Sequence, residues 1–183
     1  MQLKPLLFTP LLAATTASAL PTNVDIDIAP RTLCTPQDNV GFTVRINSTD
    51  SLHDKILSIS GSTVGVDLPS VDSVIWPYSD GKKIFMPGPG YKYLIPGYLY
   101  SDPSSSTTKQ LKFSRDLPAV GTAETEVFST SCDIRGQFYL AVGWDWSWKA
   151  CPRGDGSGWT IHKEASGEGC RDVKLRMTYG PPY

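Results

Sequence analysis

The chain has 183 residues, with 17 basic against 18 acidic side chains, two histidines and four cysteines. A formal charge of −1 excludes a bulk polycation that would gather nucleic acid or anionic lipid indiscriminately. With 40% apolar and 19% charged residues the chain is neither disordered nor membrane-embedded, and its length suits one domain with its own core.

Residues 1–19 read as a secretory signal. Lys4 precedes an apolar stretch from Leu6 to Ala14, and Ala17-Ser18-Ala19 supplies the small residues that a signal peptidase needs. That stretch is too short to span a bilayer, and no later segment approaches the roughly 18 apolar residues a span requires. The expectation is an exported chain without a membrane anchor. Residues 20–33 are extended and punctuated by Pro21 and Pro30, which fits either a removed pro-segment or an edge strand. Residues 34–183 then form a single domain.

That domain is written in strands. From residue 20 onward, Val, Ile, Thr, Tyr, Phe and Trp together number 52, whereas Ala, Glu, Gln and Met number 15. β-Branched and aromatic side chains suit a pleated, half-buried surface, and the good helix formers are scarce. Phe42, Val44 and Ile46 alternate with Thr43, Arg45 and Asn47, the signature of a strand with one buried face. Asn47-Ser48-Thr49 is an N-glycosylation sequon, which the secretory route would make usable at Asn47. Val64, Val66 and Leu68 repeat the alternation, as do Leu111 with Phe113, Trp159 with Ile161, and Val173, Leu175 and Met177. Turn-forming clusters separate the runs at 79–81, 87–90, 102–108 and 154–158. About ten short strands at this spacing predict an all-β fold, an antiparallel β-sandwich with little or no helix.

Four cysteines in an exported chain imply two disulfides, expected as Cys34–Cys132 and Cys151–Cys170. The second pair brackets one glycine-rich excursion. No C-x2-C spacing is present, so neither a zinc site nor any other metal or cofactor is expected. Paired cysteines leave no thiol nucleophile.

Two aromatic groups stand out as ligand candidates. Phe138, Leu140, Val142 and Trp144 share parity, and Trp144-Asp145-Trp146-Ser147-Trp148 continues it. If that stretch stays extended, the indoles project from one face about 6.7 Å apart, a flat platform of the kind that stacks on sugar rings. The same parity equally continues the core face, with Trp144 the most core-like and Gly143 a possible bulge that turns Trp146 and Trp148 outward. The second group is Tyr91 and Tyr93 with Tyr98 and Tyr100, where each pair shares a face. Half-buried tyrosines with wet hydroxyls account for these, while Tyr98 and Tyr100 lining a groove with Trp146 and Trp148 is the sharper reading.

Catalytic constellations are thin. Glu124 and Glu126 share a strand face about 6.7 Å apart at the backbone, a spacing compatible with glycosidase carboxyls but also with a solvated face. His53 beside Asp54 and His162 near Glu164 are the candidates for ribonuclease-like acid–base work. No nucleophile elbow, zinc-protease helix or phosphate loop is present, and no catalytic residue is assigned. Arg153-Gly154-Asp155 has the form of an integrin-type tripeptide, yet its glycine-rich surroundings explain it as a turn.

Trp148-Lys149-Ala150-Cys151-Pro152, then Trp159, then Cys170-Arg171-Asp172-Val173-Lys174-Leu175 follow the leader sequence and the 42–47 strand. In this layout the chain resembles the small secreted, effector-like proteins of filamentous fungi. The resemblance brings no catalytic residues. It implies a secreted, non-enzymatic module at a fungal surface or host interface, with an extracellular glycan or a host surface protein as partner and no role for nucleic acid or membrane. A secreted hydrolase and a structural cell-wall component are the competing readings.

Overall fold

The computed structural model describes residues 41–69, 73–74, 78–80, 82–88, 92–104 and 107–179. The expected signal at 1–19, the 20–33 segment and Cys34 lie outside them, so the Cys34–Cys132 pairing does too. Within the described residues every regular element is a β-strand, and no helix is long and apolar enough to cross a membrane. The strands are β1 (Phe42–Asn47), β2 (Ser58–Ser60), β3 (Thr63–Val66), β4 (Ser73–Val74), β5 (Tyr78–Asp80), β6 (Lys83–Pro87) and β7 (Leu94–Ser101). They continue with β8 (Lys109–Phe113), β9 (Thr122–Glu124), β10 (Phe128–Cys132), β11 (Phe138–Val142), β12 (Ser147–Pro152), β13 (Trp159–Glu164) and β14 (Arg171–Tyr179).

All pairings are antiparallel and join into one fourteen-stranded sheet. The sheet curls nearly into a barrel. β14 pairs with β1 along one edge and with β12 along the other; β12 pairs with β13, and β13 with β3. β3 pairs with β2, and the residues just before β2 return to β1 through Ile46 N–H to Lys55 O and Leu57 N–H to Val44 O, both 2.9 Å. The ladder therefore comes back to its start. Closure of this kind removes the edges of the ring strands, while β10 and β5 still end the sheet. The two stacked sheets of the expected sandwich do not separate out, because β3 and β13 carry the ladder from one side of the core to the other. That crossing is close: a Cβ on Gly65 would lie 2.0 Å from the Trp159 carbonyl oxygen, so only glycine fits there.

The alternating runs point inward as their spacing predicts. Phe42, Val44, Ile46, Val64, Val66, Leu111, Phe113, Ile161, Val173, Leu175 and Met177 are all buried in one core, and Trp148 lies among them. Cys151 and Cys170 form the expected disulfide, tying the end of β12 to the start of β14.

Candidate functional site

The decisive local feature is a break in register along β14. Leu140 pairs with Leu175, and the next pairing in line is Ser147 with Lys174. One step on β14 thus spans seven residues of the opposing chain, and residues 141–146 are looped out. Ala141 and Val142 stay paired with β10, after which the chain reverses through a two-residue turn. Val142 N–H donates to Asp145 O at 3.0 Å and Asp145 N–H to Val142 O at 3.1 Å. Gly143 has φ +60°, the left-handed value that the first position of a type II′ turn demands. Trp144 is the second turn residue and stands at the tip, 90% exposed.

This excursion corrects the expectation of one straight strand from Phe138 to Trp148. Gly143 is not a bulge that re-aims later side chains; it is the turn itself, and the inward–outward alternation restarts after it. Trp144, read as core, is the most exposed large apolar side chain described. Trp148, read as a platform residue, is 0% exposed in β12, and its indole N–H donates to Leu140 O at 2.8 Å. A fully enclosed indole has no face left for a ligand. Trp146 is half-buried at the return of the excursion.

Lys163 holds the excursion in place. Its side chain is only 6% exposed, and its ammonium meets Asp145 Oδ2 at 2.7 Å, Asp145 O at 2.9 Å and Ser147 O at 2.6 Å. An ammonium has three protons, and each has an acceptor here. Burial pushes the Asp145 carboxyl up, but the bonds from Lys163 and from the Ser147 amide and hydroxyl outweigh it and hold the group below its usual range.

Around Trp146 the outer face of the sheet is built from neighbouring strands. Trp146 covers Tyr139 (β11), which is only 5% exposed, the two rings meeting edge-to-face with centroids 5.2 Å apart. The Lys174 ammonium lies 4.7 Å from the Trp146 centroid and 5.9 Å from that of Tyr139. Asn47 Nδ2 donates to the Tyr139 hydroxyl at 2.9 Å. Two concavities meet at Asn47. One, of about 350 Å³, is lined by Asn47, Ser48, Thr49, Ser147, Asp172 and Lys174, together with Val173; the other, of about 320 Å³, includes Arg135, Gln137, Tyr139 and Arg176.

The other sequence candidates lie elsewhere. Tyr98 is 3% exposed, and burial pushes its phenol up. Tyr100 is half-buried beneath the Lys112 ammonium, 4.5 Å from its ring. Both sit on β7, and neither lines the concavities beside Trp146. Tyr91 is outside the described residues.

Glu124 is bonded to Lys109 at 2.9 Å and Glu126 to Lys83 at 2.7 Å. The Lys83 bond holds the Glu126 carboxyl below its usual range, the opposite of what a general acid requires. His53 sits in the turn after β1, where its Nδ1 accepts the Ser48 N–H at 3.3 Å, and His162 bonds Thr160 Oγ1 at 2.8 Å on β13. They share no partner. Burial, with the Lys112 ammonium adding to it, pulls the His162 imidazole down to about 4. Arg153 and Asp155 close on each other through two bonds at 3.0 and 3.3 Å, so the Arg-Gly-Asp charges are turned inward on their own loop. Among the described residues no cluster of three metal-ligating side chains occurs.

No family model matches this chain, and neither a curated protein nor a solved structure matches it significantly.

Tyr139, Lys163 and Lys174 were missed by the sequence reading. Only Lys163 carried a signal: it shares parity with Ile161, a lysine at a core-facing position.

Proposed function

We propose that this chain is an exported, non-enzymatic binding module of a fungal surface or host interface, and that it contacts an extracellular saccharide through the 141–146 excursion and the half-exposed Trp146 wall that covers the buried Tyr139. The observation that carries this reading is Trp144. An indole 90% exposed at the tip of a tight turn is costly to leave in water and stacks readily on the apolar face of a sugar ring. The turn is held by a buried lysine, so the indole is presented on a fixed support and loses little freedom on binding.

The concavities at Asn47 have volumes at the small end of the range for ligand sites and sit directly beside this wall. The Cys151–Cys170 bond is consistent with an oxidising, extracellular setting. The carboxylates that a glycosidase reading would use are each held by a lysine, which supports binding over hydrolysis.

The test is titration of glycans against the secreted protein, freed of N-linked glycan because a sugar on Asn47 would emerge beside Tyr139. Trp144→Ala and Trp146→Ala each weaken binding about tenfold, the loss of one stacked aromatic face; the melting temperature is little changed in Trp144→Ala and is lowered in Trp146→Ala, which uncovers Tyr139. Trp148→Ala instead destabilises the fold by about 3 to 5 kcal/mol. Unchanged affinity in both Trp144→Ala and Trp146→Ala overturns the assignment.

A further inference from the structure

The saccharide site carries an electrostatic preference. Lys174 places its ammonium against the face of Trp146, so a ligand approaching this indole meets a positive charge before it meets the ring. Among the described residues Lys174 has no carboxylate within ion-pair distance, and neither has Arg135 in the adjoining concavity. The nearby acids are otherwise engaged. Asp172 is paired with Lys149 at 2.6 Å, Asp50 with Arg171 at 2.9 Å, and Asp54 with Arg176. Asp133 remains on this face, where its carboxylate accepts the Arg135 and Gln137 amides of its own turn, both at 2.9 Å.

The register brings these charges together. Arg45, Arg176 and Tyr139 lie opposite one another across β1, β14 and β11, and Asn47, Lys174 and Ser147 form the next row two residues along β14. Arg45 gives its Nη1 proton to the Asp54 carbonyl rather than to a carboxylate. Among the described residues of this face, Arg45, Arg135 and Lys174 therefore lack a carboxylate partner, and Asp133 is the acid left outside an ion pair. This is a cationic rim around an aromatic wall, on a chain whose net charge is −1. The positive field is local rather than a property of the whole surface.

Resting on the saccharide reading above, we infer that the ligand is an anionic saccharide, one whose rings stack on Trp144 and Trp146 while its carboxylate or sulfate groups pair with Lys174 and Arg135. A neutral sugar would have to displace the Lys174 ammonium from the indole without replacing what it loses. An anionic one keeps the ammonium paired as the ring beneath becomes covered.

The experiment measures binding of the full secreted protein, freed of N-linked glycan, to polygalacturonate, dextran sulfate, neutral dextran and poly(U). Polygalacturonate and dextran sulfate separate carboxylate from sulfate recognition. The expected result is binding to at least one of them about tenfold or more tighter than to dextran or poly(U), weakening as salt is raised. Lys174→Gln and Arg135→Gln each lower that affinity several-fold at unchanged melting temperature, and Lys174→Arg restores it. Equal, salt-insensitive binding of dextran and polygalacturonate overturns the inference and leaves the saccharide reading standing. Tightest binding to poly(U) overturns the inference in favour of a single-stranded nucleic acid. Binding to none of the four polymers overturns the inference and counts against the saccharide reading as well.

Discussion

Lys163 directs all three ammonium protons to a single three-residue segment, Asp145 to Ser147, and lies 5.4 Å from the buried Trp148 ring. Replacing it with methionine keeps the apolar stem but leaves two carbonyls and a carboxylate without their donor. The expected cost is about 1 to 3 kcal/mol, mostly from the two carbonyls left without a donor, because the Asp145 side chain is 60% exposed and water can take up its carboxylate. Chemical denaturation of Lys163→Met measures it, and the same variant should lose saccharide affinity as Trp144 loses its support. His162 predicts a pH effect of defined sign. Its folded value of about 4 lies below the 6.5 of an unperturbed imidazole, so the unfolded chain binds the extra proton between those values. Stability therefore rises with pH across that window and is lost on acidification from about 6.5 towards 4, by up to about 3 kcal/mol for a shift of this size. Urea melts at pH 7 and pH 4.5 should show this loss in the wild type and a smaller one in His162→Gln.

At the scale of elements, the 141–146 excursion is where sequence periodicity and structure part company. The alternation of Phe138, Leu140 and Val142 with their neighbours marks β11 correctly as a strand, and that of Val173, Leu175 and Met177 marks β14. What periodicity cannot register is that the strand opposite β14 leaves the ladder for six residues and then rejoins it. The tryptophans keep even numbering through a turn that resets their direction, so the same parity holds Trp144 in solvent and Trp148 in the core. Gly143 was the legible clue, since a glycine inside an apparent strand marks a break, but a turn and a bulge both take a left-handed glycine, and only the reciprocal Val142–Asp145 bonds in three dimensions show a turn. Tyr139 was hidden for a related reason. It lies on the strand face opposite Leu140, and its role comes from Asn47 and Lys174, which are distant in sequence and neighbours only through β1 and β14. The Cys151–Cys170 bond is the simpler case, readable from spacing because the two residues bracket one local excursion. It closes a loop with a sequence separation of 19. Removing it in a Cys151→Ala, Cys170→Ala double variant should cost about 3 kcal/mol by the chain-entropy estimate for a loop of that length, seen as a lower midpoint in denaturant.

Across the whole molecule, the ring of pairings from β1 through β14, β12, β13, β3 and β2 makes a continuous support whose outer face beside β1, β11 and β14 carries the proposed site. The all-β, antiparallel character was legible because composition and alternation are properties of single strands. The barrel-like closure was not, because it depends on which strands meet, and the Gly65 crossing that permits it gives no periodic signal. The proposed ligand surface is the Trp144–Trp146 excursion, while Trp148 belongs to the core. Five tryptophans give five indole N–H resonances, and an NMR titration with the best-binding acidic oligosaccharide reads them separately. The Trp144 and Trp146 resonances should shift progressively with ligand while that of Trp148, bonded to Leu140 O, stays in place. Unmoved Trp144 and Trp146 resonances at saturating ligand would contradict this assignment.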